Sequence, residues 1–399
     1  MTRRVLAALG IAATFAFVAL ASLPLSGQSG QAAIGAGAPD LVITAYGGGP
    51  PTPYAVPRTP WGDPDLQGVW SSDDAQFGGG GRGRGGAGAG AGAAQGPPPL
   101  YLTDEQYAAR QKQIADGVAR SEGDGVTGTF RSDFARRAFR QTRIVVHPPE
   151  ATGVPQPLPE AQKRRAPRDQ GTFGAGPFNS PEDFTLYDRC ITRGIWGSIM
   201  RVIYGNGNRI VQAPGTVAIS YEMVHDTRVF YTDGRPFIGD PIRQYLGDSR
   251  ARWDGDVLVV ETRNLTDRTS IGANGNGLRH SDQMVIVEKF KRVADDILQY
   301  QITISDPATY PYPFTASMPL TPLDGGMLLP YDCHEGNLAV LQSLGGDRAE
   351  DAALEADLAK GIIRPRRAVQ DGGGGGGGGR GGRGGRGGSG TAEGEGGPQ

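Results

Sequence analysis

His334 and Glu335 stand side by side after Cys333, and an imidazole next to a carboxylate is the smallest set able to move a proton as general base and general acid. The pair predicts the catalytic residues of a hydrolase or lyase. A second set suits holding a ligand. Arg189, Arg193 and Arg250 could grip a carboxylate or a developing oxyanion. Tyr221, Trp253 and Tyr300 offer aromatic surface beside them, and His225 with Asp226 repeats the imidazole–carboxylate pairing. Glu222, Glu261 and Glu288 each interrupt a strongly apolar run. A carboxylate buried there without a partner is costly, so these residues should meet Arg or line a polar lumen.

Bland roles compete with chemistry at every position. Asp188 with Arg189 and Arg250 with Asp254 could be structural ion pairs, and His334 could merely bond a backbone carbonyl. Adjacency in sequence does not settle the matter, because neighbours on a strand point to opposite faces. Ser249, in Gly-Asp-Ser-Arg, lacks the strand-to-helix elbow of a nucleophilic serine. No phosphate loop, dinucleotide fingerprint or H-E-x-x-H occurs, and no cofactor or metal is expected. His147 and His280 lie in turn-like surroundings and are read as solvated.

The elements that would position these residues are mostly strands. Val217, Ile219, Tyr221 and Met223 alternate with Ala218, Ser220, Glu222 and Val224, and an unbroken strand would carry His225 on the first of those faces. Asp233-Gly234 and Asp254-Gly255 mark turns, the second opening a doubly apolar strand at 257–262. Further strands are expected at 284–291, 298–305, 314–320 and 327–333. Short turns between consecutive strands give an antiparallel up-and-down meander, and eight or so strands can close as a barrel that leaves no exposed edge. Gly68-Val69-Trp70 opens the first strand, with Gly68 allowing backbone to approach the indole. Thr103 caps a mostly polar helix running to about Arg120, and 349–360 reads as a short terminal helix.

The 399 residues are unevenly used: of 65 Gly, 18 lie in 372–397 and 11 in 78–96. The expected division is a signal peptide (1–32), a flexible tether (33–60), a first strand region (61–77), a Gly/Pro linker (78–99), a helical and extended basic region (100–180), the barrel (181–350), a short helix and linker (351–371) and a Gly/Arg-rich tail (372–399). Arg3 and Arg4 precede an apolar run from Val5 to Leu25, the pattern of an export signal, or of a membrane anchor if it is retained. The bulk of the chain is therefore expected in the periplasm or outside the cell. Cys190 and Cys333, the only two cysteines, then favour a disulfide, with a metal site at Cys333, His334 and Glu335 as the alternative. Residues 169–350 carry 16 Lys and Arg against 23 Asp and Glu, which argues against a nucleic-acid face.

Several segments together resemble those of a family of uncharacterised exported bacterial proteins. They are Asp65-Leu66-Gln67-Gly68-Val69-Trp70, Tyr187 to Gly194 with its Asp-Arg-Cys-Ile-Thr-Arg core, Gly247-Asp248-Ser249-Arg250, Trp253 to Thr262, Asp306-Pro307-Ala308-Thr309 and Cys333-His334-Glu335-Gly336-Asn337. The resemblance covers roughly Trp61–Trp70 and Pro181–Arg348, and Trp196 and Ala251 depart from it where Pro and Gly are expected. It implies an exported, β-rich, lipocalin-like chain and brings no activity. The expectation is a mainly β, exported barrel that binds a small molecule. A secreted hydrolase or lyase and a cell-surface interaction protein are the other readings.

Overall fold

The computed structural model of the chain describes residues 34–49, 52–75, 77, 99–122, 135–164, 177–202, 205–271 and 278–366. The expected export segment, nearly all of the Gly/Pro linker and the tail 372–399 lie outside them. Among the described residues ten strands are formed: β1 (Gly68–Ser71), β2 (Val145–His147), β3 (Gly207–Ala213), β4 (Thr216–Tyr221), β5 (Thr227–Tyr231), β6 (Asp248–Asp254), β7 (Val257–Arg263), β8 (Val285–Ala294), β9 (Ile297–Ser305) and β10 (Phe314–Pro322). Four α-helices of the described residues accompany them: α1 (Asp104–Glu122), α2 (Pro159–Lys163), α3 (Ile195–Ile199) and α4 (Leu338–Ala359).

Nine strands close a barrel in the order β1-β3-β4-β5-β6-β7-β8-β9-β10, with β10 returning to β1 through Trp70↔Pro322 and Ser71↔Thr321. The short β2 takes the remaining edge of β10. Period-two patterning sets the two faces. In β9, Leu298, Tyr300, Ile302 and Ile304 join the core, while Gln299, Gln301 and Thr303 point outward. Neighbouring strands pair antiparallel except at β5 and β6, which meet in parallel at Tyr231↔Arg250 after the long connection 232–247. That crossover is the departure from a pure meander.

Trp70 plugs the wall near the closure and donates its indole N–H to Leu66 O at 3.0 Å. Gly68 sits at φ 146°, where side chains are strained, and a Cβ there would also lie 3.2 Å from the Trp70 Nε1 atom, so glycine is favoured. A second plug is α3, all five residues of which are buried; its Trp196 ring lies 5.7 Å from that of Phe314. Cys190, just before this plug, is bonded to Cys333, with Cα atoms 5.8 Å apart across 143 residues of chain. At α1, Thr103 and Gln106 exchange side-chain-to-backbone hydrogen bonds, a capping box.

Several expectations are corrected. Residues 327–333 form no strand, because both edges of β10 are already taken and Gly325 and Gly326, at φ 75° and 63°, turn the chain away. Strand β4 stops at Tyr221. Val224 and His225 take φ 67° and 59° and reverse the chain into β5, so neither Glu222 nor His225 is on a strand. The terminal helix spans 338–359 instead of 349–360. Gly345 and Gly346 weaken it intrinsically, but Leu344 packs on Phe178 and Phe184, and Asp347 accepts the Phe178 N–H at 2.7 Å.

The stretch expected as a tether is held on the wall over 34–46. Gly35 N donates to Glu261, Val42 N to Gln301 and Thr44 N to Gln299, at 2.7, 2.8 and 3.0 Å. Lys289 and Gln301 donate in return to Pro39 O. This strap explains why the outward side chains of β9 are buried. No helix among the described residues is long and apolar enough to cross a membrane.

Candidate functional site

The lumen is filled by its own side chains. Arg228 of β5 and Glu288 of β8 face each other across it, with Nη2–Oε2 at 2.6 Å and Nη1–Oε1 at 3.1 Å. Tyr300 donates to Glu288 at 3.0 Å, and Tyr221 OH accepts from Arg228 at 3.1 Å. Ser249 and Thr262, 2.8 Å apart, accept from the other arm of the guanidinium. All six are buried, and Phe230 and Phe290 pack beside them, the Phe290 ring against that of Tyr300. Burial opposes the Arg228 charge, but the Glu288 carboxylate and Tyr221 oxygen outweigh it and hold its pKa above the ordinary value. Burial, with help from Glu288, pushes the Tyr221 hydroxyl up to about 12 against the pull of Arg228. A closed ion pair of this kind is a packing element, since every polar arm but Arg228 Nε is bonded within the protein.

Open space lies instead at the loops. Asn264, at φ 58°, follows β7 and donates its side-chain amide to Gly239 O and Ile242 O at 3.2 and 3.1 Å, which pins the β5–β6 crossover. Gln244 then pairs with Leu265, its N–H meeting Asn264 O and its carbonyl accepting Thr266 N–H. Gly247 makes the close packing possible, since a Cβ there would lie 2.7 Å from the Thr262 methyl group. The result is a cleft of about 500 Å³ lined by Arg243, Gln244, Tyr245, Thr266, Asp267, Arg268 and Asp282. Arg243 and Asp282, both in its lining, approach each other to 4.0 Å.

Tyr245 also borders a second, much smaller cavity of about 10 Å³ whose wall includes Trp196 of α3, Ser270 and His280. Ser270 Oγ and Trp196 Nε1 are buried polar atoms without a hydrogen-bond partner. His280, expected in solvent, is buried: Nδ1 lies 2.9 Å from Ser281 O and Nε2 contacts Thr269 Oγ1. A carbonyl can only accept, so Nδ1 carries the proton and Nε2 accepts from Thr269. Burial pushes the His280 pKa below its ordinary value, with Asp306 and Asp267 opposing.

The residues singled out by sequence do not converge. Tyr221 and Tyr300 meet in the lumen, and Trp253 packs against the same core. Glu261 and Arg250 are on the outer face, where Glu261 bonds Gly35 N and Arg263, and Arg250 bonds Asp248 at 2.5 Å and Pro236 O at 2.7 Å. The Arg250 partner is thus Asp248, not Asp254. Arg189 approaches Glu182 at 3.8 Å, and Arg193 is fully buried with its guanidinium 5.7 Å above the Tyr187 ring. Glu222 accepts Gly207 N at 2.9 Å, and His225 accepts Tyr331 N at 2.7 Å. His334 and Glu335 are exposed in the turn after Cys333, and neither side chain makes a hydrogen bond or ion pair among the described residues. No group of three or more His, Cys, Asp or Glu able to share a metal ion occurs there either.

Sequence reading passed over Arg228, although its spacing of two from Phe230 and the need of a mid-strand Glu288 for a cation both point to it. It also passed over the cleft, whose polar residues carry no periodic signal. These features define a closed β-barrel with a packed lumen and a polar cleft at its loops. No family model, curated protein or solved structure matches the chain.

Proposed function

We propose that the chain is an exported protein that binds a small molecule, with the ligand seated in the Tyr245 cleft and the barrel acting as its rigid support. The observation that carries this reading is the cleft itself. Its volume of about 500 Å³ falls in the range of roughly 300–1,000 Å³ used by small-molecule sites. Its wall mixes donors and acceptors on loops that a pinned Asn264 holds in place. The lumen, which a lipocalin-like carrier would use, is taken up by the Arg228–Glu288 network. Export is supported by the Arg3-Arg4 and apolar run, by a disulfide suited to an oxidising compartment, and by the resemblance to exported bacterial proteins.

Native mass spectrometry on protein recovered from the periplasm of an expression host tests the reading. A dissociable excess mass over the denatured, unreduced protein, lost in Tyr245→Ala, is the expected result. No excess mass, or one that Tyr245→Ala retains, would contradict it.

A further inference from the structure

We infer that the cleft takes a neutral polyhydroxylated molecule, a sugar or related polyol, and that one ligand hydroxyl enters the small cavity behind Tyr245 to meet Ser270 Oγ and Trp196 Nε1. This rests on the cleft being the ligand site. Three observations carry it. First, Arg243 and Arg268 are balanced by Asp267 and Asp282, so the site offers no net charge to draw an anion or a cation. A hydroxyl both donates and accepts, so carboxylates, guanidinium groups and the Thr266 hydroxyl can all be matched by a polyol without burying an unpaired charge.

Second, the inner cavity of about 10 Å³ has room for one water-sized group. A phosphate, carboxylate or methylammonium head is too large to enter it, whereas a single hydroxyl oxygen is the right size. Third, two residues of that wall carry buried polar atoms that the protein leaves unmatched. Ser270 and Trp196 are each more than nine-tenths buried, and Ser270 Oγ and Trp196 Nε1 have no partner. The indole N–H can only donate and the serine hydroxyl can do either, so the pair is completed by an oxygen that accepts one bond and makes another. His280 does not compete for this group, because both its nitrogens are engaged by Thr269 and Ser281. It positions the 269–270 backbone, and the Gly194 backbone before α3 packs against Ser270 O from the other side.

The test is calorimetric titration of the full chain with methyl β-D-glucopyranoside and myo-inositol as neutral probes, sodium phosphate as anion and choline chloride as cation. The proteins are the parent, Ser270→Ala, Trp196→Phe and Asp282→Asn, each with its melting temperature recorded. The inference expects a neutral probe to bind and the two ions not to. It expects Ser270→Ala, which keeps the fold, to weaken that binding by about tenfold, the loss of one buried hydrogen bond. Trp196→Phe should act similarly, and Asp282→Asn should weaken binding at the outer wall. Neutral binding unchanged in Ser270→Ala would show that the cavity holds only water and would overturn the anchoring. Binding of phosphate or choline without either neutral probe would overturn the ligand class while leaving the cleft as the site. Binding of none of the four would overturn the inference, and the native-mass result would then decide the cleft separately.

Discussion

Replacing Arg228 by Met would leave the Glu288 carboxylate buried among aromatic rings with only the Tyr300 hydroxyl to answer it. Breaking one side of a buried pair typically costs about 3–5 kcal/mol, whereas replacing both sides by apolar groups is often neutral. Arg228→Met should therefore lower the denaturation midpoint sharply, and the double variant Arg228→Met, Glu288→Leu should recover most of the loss. Equal loss in both variants would show that the network is not the coupled pair described. His280 gives a pH prediction at the same scale. Its folded pKa lies below the unfolded value, so the unfolded chain binds the proton more readily. The stabilisation is full above about 6.5, the unfolded value, and is lost as pH falls toward the folded pKa. His280→Gln should flatten the slope of unfolding free energy between pH 7.5 and 5.5. Asp226, raised by burial, acts with the opposite sign, so it does not mimic this effect.

Among the elements, the strap over 34–46 is held mainly by side chains of the wall reading its backbone. Gln299 and Gln301 do most of this, together accepting the N–H groups of Val42, Thr44 and Ala45. Changing both to Leu should expose those three amides to rapid hydrogen exchange while leaving the β8–β9 amides protected. Protection of all of them unchanged would mean that other contacts hold the strap. The strands themselves were largely legible in sequence. Alternation in β9, doubly apolar patterning in β7 and the Gly-Trp opening of β1 all carry over into the fold. What could not be read was decided by long-range pairing. The expected strand at 327–333 is polar and apolar in the right mixture, yet it finds no free edge in a closed barrel. The tether looked flexible because Gly and Pro dominate it, and only the polar outer face of β9 reveals why it is ordered. The candidate site was less legible than the fold. Arg243, Tyr245, Ser270 and Trp196 are far apart in sequence and meet only through the crossover and the buried plug.

For the molecule as a whole, the Cys190–Cys333 bond ties the α3 plug to the segment leading into α4 across 143 residues. Chain-entropy reasoning gives about 4–5 kcal/mol for a loop of that size. The double variant Cys190→Ser, Cys333→Ser should lose about that much stability, measured by denaturant unfolding without reductant. An unchanged midpoint would mean that α3 is held by its packing alone. The central claim is that the barrel presents a ligand at its loops and keeps its lumen for packing. The most direct test is to map amide chemical shifts during titration with methyl β-D-glucopyranoside. Shifts concentrated at Arg243, Tyr245, Thr266 and Ser270, with Tyr221, Glu288 and Tyr300 unmoved, are predicted. Shifts centred on those three lumen residues, or no shifts at the cleft, would contradict the account.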